Sequence, residues 1–206
     1  MQKIDLKKKF ASFYSPKKGK FEIVNVPELP YLIIYGEGDP NQAEEYKQAV
    51  EALYSVAYTL KFMVKKGPLA LDYGVMPLEG QWWVHDMSTF SADHKDQWKW
   101  AMMILQPEFI TTEMVEMAIS AAGKKKELPA LDKLHLGFIG DGLAAQTLYI
   151  GPYAEEGPTI QALHRFIFDQ GGQLHGRHRE IYLGDPRRTA PEKLRTIIRQ
   201  PMLKPD

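Results

Sequence analysis

A long helical period constrains this chain more than any other feature. Apolar or aromatic residues at Ala43, Tyr46, Val50, Leu53, Ala57, Leu60 and Val64 recur at the spacing of one helix face. Asp39 before Pro40, with Gln42 at the capping-box spacing, predicts the start. Lys65-Lys66-Gly67-Pro68 predicts the stop, with bases near the negative end of the helix dipole and a glycine beyond. An amphipathic stripe of this length needs a sheet to lie on, and strand-like stretches flank it. Phe21–Val26 and Tyr31–Tyr35 precede it; Leu69–Met76 and Gln97–Leu105 follow, the last with Trp98, Trp100, Met102 and Ile104 on one face. Residues 1–19 read as a polar lead-in, and His85–Asp96 as a polar excursion.

The second half repeats this order. A shorter helix, Thr111–Lys124, is expected around Met114, Met117, Ala118 and Ala121. Strands at Leu134–Ile139 and Leu143–Ile150 are separated by Gly140-Asp141-Gly142. Gly151 to Glu156 then opens a third helix that turns Ile160, Leu163 and Ile167 inward until Gly171-Gly172. Each half runs strand, Gly-rich turn, acid-led helix, Gly stop, strand, turn, strand, and the halves close alike on Ile104-Leu105-Gln106-Pro107 and Ile198-Arg199-Gln200-Pro201. The expected fold is α+β: duplicated β-α-β-β units about a pseudo-twofold axis, an antiparallel sheet with long helices on one side, and a central ligand cleft. The chain is expected to be one domain over residues 1–206, with repeat one at about 21–107, a linking helix at about 111–126 and repeat two at about 134–201.

Composition narrows the function classes. The 26 basic and 26 acidic residues balance, so no overall field draws the molecule to nucleic acid or anionic lipid. The chain has no cysteine, which removes disulfides, thiolate nucleophiles and Cys-based zinc sites and is compatible with the cytoplasm, the expected compartment. Lysine-rich Met1–Phe10 lacks a following apolar run, so it reads as neither signal peptide nor membrane anchor. The six histidines carry no metal-site pattern and Gly-x-Ser-x-Gly does not occur, so neither metal nor cofactor is expected. No feature specifies an oligomeric state.

The chemistry-bearing stretch is His178 to Arg188. His178, Glu180 and Tyr182 fall on one face of a strand, Arg179, Ile181 and Leu183 on the other. Gly184-Asp185-Pro186 breaks the strand, and Thr189 with Glu192 reads as a capping box before an apolar strand at Leu194–Arg199. On the residues alone, Glu180 has two readings: an edge or ion-paired residue serving Arg177, Arg179 or Arg187, or a functional carboxylate beside Tyr182. Aromatics make up 11% of the chain, and its four tryptophans, Trp82, Trp83, Trp98 and Trp100, lie close together. About half of them are expected to be ordinary core. Adjacent Trp82 and Trp83 cannot face the same side of a strand.

Tyr73 through Trp83, Trp98-Lys99-Trp100, Tyr149 through Tyr153 and the Glu180–Arg188 stretch together resemble the GyrI-like small-molecule-binding family, and within it the stand-alone cyclopropanoid cyclopropyl hydrolases. The resemblance runs from about Phe21 to the C-terminus. It implies the duplicated, SHS2-like fold, a cleft lined by Trp82, Trp83, Trp98, Trp100, Tyr54, Tyr73 and Tyr149, and an acidic residue within it. Glu180 would handle water or a proton, with Tyr182 as hydrogen-bond donor to the substrate or to Glu180. The implied partner is a flat hydrophobic or aromatic small molecule, and the implied activity is hydrolytic opening of a conjugated cyclopropane. A protein that sequesters drugs without catalysis, or a stand-alone sensing module, is the alternative. Nothing before Phe21 is long enough for a helix-turn-helix domain.

Overall fold

The computed structural model describes residues 2–87 and 92–204. The chain runs β1 (Gln2–Ile4), α1 (Leu6–Lys9), α2 (Ala11–Tyr14), β2 (Glu22–Val26), β3 (Leu29–Glu37), α3 (Glu44–Lys66), β4 (Leu71–Tyr73), β5 (Leu78–Trp83) and β6 (Lys99–Leu105). It continues with α4 (Thr112–Gly123), β7 (His135–Ile139), β8 (Gly142–Ile150), α5 (Gly157–Asp169), β9 (Gln173–Leu174), β10 (His178–Tyr182) and β11 (Arg195–Leu203). No described helix is long and apolar enough to cross a membrane.

The chain divides into two compact units: one takes residues up to Lys9 and Leu29–Ile139, the other Phe10–Glu28 and Gly140 onward. The first carries the antiparallel strand order β5-β6-β3-β7, with α3 packed on β3 and β6 and α4 packed on α3. The second carries β2-β8-β11-β10, with α5 packed on β8 and β11. Labelling each repeat strand–helix–strand–strand, both units place the second strand beside the third, the third beside the first, and an extra strand outside the first. The β-α-β-β duplication is therefore repeated in strand order as well as in sequence. The extra strands come from outside the repeats they flank: β2 precedes β3 in the chain yet pairs with β8, from Glu22↔Gln146 to Val26↔Gly142.

The core of the first unit is the buried face of α3, Ala49, Ala52, Leu53, Val56, Ala57, Leu60 and Val64, laid on β3 and β6. In the second unit Leu163 and Ile167 of α5 close on Ala145, Ile198 and Met202. All of β6 from Trp100 to Leu105 is buried, so its two faces are both covered, beyond the single apolar face read from the alternation.

Several local expectations are corrected. Asp39 does not cap the long helix: its carboxylate accepts from the Asn41 backbone N–H at 3.0 Å and holds a turn, and α3 starts at Glu44 without a side-chain cap. The lead-in is structured, because Leu6, Phe10 and Tyr14 recur at helical spacing and are buried. Leu69–Met76 forms a strand only at Leu71–Tyr73, parallel to β1, after Ala70 takes φ +47°. On α4, Thr111 caps as its spacing implies, accepting from the Met114 N–H at 3.3 Å. The buried side of that helix, however, is Val115, Ala118 and Ala122, with Met117 61% exposed. Thr189 and Glu192 make no capping box; a short 3-10 turn spans Pro191–Lys193 without a side-chain cap. Strand β11 runs on through Pro201, which lies opposite Ala144 and accepts from the His175 N–H at 3.0 Å. Residues 88–91 of the polar excursion lie outside the described residues.

Candidate functional site

In the second unit, β10 runs antiparallel to β11 with Glu180 opposite Ile198 and Tyr182 opposite Thr196. Directly opposed residues share a face, and Ile198 belongs to the core under α5. His178, Glu180 and Tyr182 therefore stand on the helix-bearing face of that sheet. The Tyr182 hydroxyl donates to Glu180 Oε2 at 2.7 Å, and His178 Nε2 lies 3.3 Å from Glu180 Oε1. The Glu180 side chain is 16% exposed and that of His178 3%. Tyr153, just before α5, meets the Tyr182 ring edge-on at 5.5 Å.

The ion-pair reading of Glu180 is narrowed by where two arginines go. Arg179, on the opposite face, meets Asp141 at 3.0 Å, and Arg187 meets Asp185 at 3.0 Å. The carboxylate is held by a phenol at one oxygen, with an imidazole nitrogen 3.3 Å from the other. A carboxylate steadied by donors without a guanidinium alongside keeps lone pairs for a further proton or water. Of the two partners considered for Tyr182, the structure shows the hydroxyl on Glu180.

His164 of α5 belongs to the same neighbourhood. Its imidazole is held below the ordinary histidine range, first by burial and second by the proximity of His178. The folded chain thus resists a proton that the unfolded chain accepts. Stability conferred by this group is present above the ordinary histidine pKa and is lost as pH falls through that range toward the depressed folded value. Melting temperatures between pH 8 and pH 5 are expected to fall less steeply for His164→Gln than for wild type.

The tryptophans lie in the first unit. Trp82 and Trp100 are opposite each other on β5 and β6 and both pack against Tyr46 near the start of α3, at 6.0 and 5.5 Å. Trp98 approaches Trp82 at 5.4 Å, and Lys95 Nζ stands 5.4 Å from the Trp98 ring centre. Trp83 points the other way, edge-on to Tyr35 at 6.3 Å, and Tyr35 stacks on His135. Trp82 and Trp100 are buried while Trp83 and Trp98 are half-buried. Gly36 makes room for Trp100, since a Cβ there would sit 2.2 Å from the indole. Trp100→Ala should therefore cost about 3–5 kcal/mol of stability, the usual loss for a large buried aromatic, as read from denaturant midpoints. Half-buried Trp98 and Trp83 are the cleaner positions for testing ligand contact.

The three tyrosines stand elsewhere. Tyr54 stacks on Tyr58 one turn along α3. Tyr73 is buried on β4 against Phe109, and burial pushes its phenol well above the ordinary value. Tyr149 donates to the Pro152 carbonyl at 2.9 Å and pins the turn before α5. That turn needs glycine at Gly151, where φ is +153° and a Cβ would lie 2.4 Å from the Tyr149 hydroxyl. Sequence reasoning put His178 on the right face without giving it a role. It also passed over Tyr46 and Tyr153, although the spacing and the Tyr149–Tyr153 stretch contained both. Among the described residues no group of three or more His, Asp or Glu side chains is arranged to hold a metal ion.

Residues 19–202 match the model of the GyrI-like small molecule binding domain. The curated proteins gave no match. Among solved structures, the chain is similar to an uncharacterized conserved protein from Listeria innocua at 38% identity and a TM-score of 0.89, covering 97% of this chain and 100% of that one. It is also similar to a hydrolase from Listeria innocua at 37% identity and a TM-score of 0.85, again over 97% of this chain and 100% of that one.

Proposed function

The chain belongs to the GyrI-like small molecule binding domain family, and on that premise we propose that it is a cytoplasmic hydrolase that binds flat hydrophobic xenobiotics and opens a cyclopropane conjugated to a carbonyl. The observation that carries this reading is the Glu180 carboxylate, largely shielded from water and bonded by Tyr182 at 2.7 Å. That the similar protein is a hydrolase supports it. In the proposed step the oxygen of water bonds to a ring methylene and the strained carbon–carbon bond breaks. Its electron pair passes through the conjugated system to the carbonyl oxygen. Glu180 takes the proton that water loses, and one proton is returned to the carbonyl oxygen, so the product is the substrate plus one water. Ring strain drives the reaction, leaving the protein to position the reactants and move one proton. Tyr182 orients the carboxylate, and Tyr153 beside it offers an aromatic surface. In the first unit, half-buried Trp98 and Trp83 are the tryptophans proposed to offer aromatic contact.

The second reading, sequestration of aromatic cations without turnover, is favoured by one observation: the Trp98 ring already accepts a cation, Lys95. The two separate in one experiment. Purified protein is mixed with a spirocyclopropyl-dienone alkylating compound, and products of wild type and Glu180→Gln are followed by mass spectrometry. A species one water heavier, formed rapidly by wild type alone, supports hydrolysis at Glu180. Binding with the compound recovered unchanged supports sequestration, and no binding overturns the substrate class.

A further inference from the structure

Resting on the hydrolase reading, we propose that His178 is the positioning residue for Glu180. Its Nε2–H would fix one carboxylate oxygen while Tyr182 fixes the other. The observation is geometric. Residues 178, 180 and 182 project from one face of one strand; the Tyr182 hydroxyl is bonded to Oε2 at 2.7 Å, and His178 Nε2 stands 3.3 Å from Oε1, within reach of a hydrogen bond that the resting geometry does not make. A carboxylate gripped by one oxygen can rotate about its last bond; gripped by both, it presents one plane. A carboxylate also has about four acceptor sites. Two donors therefore leave lone pairs on both oxygens for the attacking water.

The setting suits this task. The His178 side chain is 3% exposed, so bulk water is not there to replace the imidazole as donor. The strand is anchored to β11 from Arg179↔Arg199 to Tyr182↔Thr196, with His178 as the strand residue next to this ladder. Charged and titratable groups near His178 include Glu180 on its own strand and His164 on the packed helix. Arg179 belongs to the other face, with Asp141. His178 touches the carboxylate and is not required to touch substrate, which makes it a positioning residue.

The test compares wild type, His178→Phe and His178→Gln with the same dienone probe, alongside ring-nitrogen NMR of the wild-type protein. His178→Phe keeps the volume but removes the donor and is expected to lower kcat roughly 10²-fold, the scale of a small misplacement, with KM nearly unchanged. His178→Gln returns an N–H donor and should restore most of the rate. Rescue by Gln is the readout that a purely packing role would not give, because Phe is the better packing substitute. Unchanged kcat in His178→Phe, or a Gln variant as slow as Phe, overturns the proposal. The spectrum decides independently of activity: Nε2 of His178 must carry a proton and its signal must move in Glu180→Gln. An unprotonated Nε2, or a signal blind to Glu180, overturns the proposal even if a variant fails to fold. Absence of wild-type turnover with a protonated, Glu180-sensitive Nε2 would sink the hydrolase reading and leave the positioning contact standing.

Discussion

Glu180→Gln is expected to slow turnover by roughly 10²–10⁴-fold, the contribution typical of a positioned proton carrier, while affinity for neutral ligands stays nearly constant. Glutamine keeps the shape and one acceptor oxygen, so Tyr182, which donates at 2.7 Å to Oε2 in wild type, can still find a partner. What is lost is the capacity to take a proton from water. A fall in kcat without a matching rise in KM would place the loss in the chemical step. A turnover indifferent to the substitution would remove Glu180 from the mechanism. If the protein only sequesters, the same change should weaken cationic ligands and spare neutral ones, which calorimetry with a matched pair of aromatic compounds would show.

Asp141→Ala should destabilise the second unit by about 3–5 kcal/mol, the cost of leaving buried charge without its counter-ion. Asp141 Oδ2 lies 3.0 Å from Arg179 and 3.2 Å from Arg199, and all three side chains are at most 1% exposed. Removing the aspartate takes away the carboxylate that both guanidiniums share. Arg199 additionally donates to Gln146 at 3.0 Å and to the Phe13 carbonyl at 2.6 Å, so the lead-in segment beside β2 would loosen with it. Chemical denaturation followed by circular dichroism would measure the loss. A change below about 1 kcal/mol would show that the network is no more than a surface-like pair.

The chemistry was legible where the period of the backbone does the work. Side chains alternate along a strand, so His178, Glu180 and Tyr182 had to share a face once the strand was recognised; the hydroxyl-to-carboxylate contact is one of the two partners that the resemblance implied for Tyr182. Duplication was readable because both halves carry the same sequence of stops and starts. What local patterns could not show depends on partners distant in sequence. The expected apolar face of α4 included Met114 and Met117, but burial of Val115 and exposure of Met117 are set by α3, which α4 packs against. Asp39 had an ideal capping spacing and used it for a turn with Asn41, because a side chain that bonds locally can serve either end. Leu6, Phe10 and Tyr14 were hidden among lysines, whose charge outweighed a sparse apolar stripe. Pro201 looked like a terminus since it lacks an N–H, yet a strand tolerates that loss where no ladder bond is required.

The borrowed edge strand has a consequence for synthesis. Strand β2 leaves the ribosome long before β8, with which it pairs from Glu22↔Gln146 to Val26↔Gly142. The nascent chain must therefore carry an unpaired strand through the making of the whole first unit. Closing that long loop is slow and entropically costly compared with joining neighbours in sequence. Assembly of the second unit thus waits until β8 has been made. During the wait, the apolar Ile23, Val24 and Val26 are the segment that a chaperone, or a neighbouring nascent copy, would meet first.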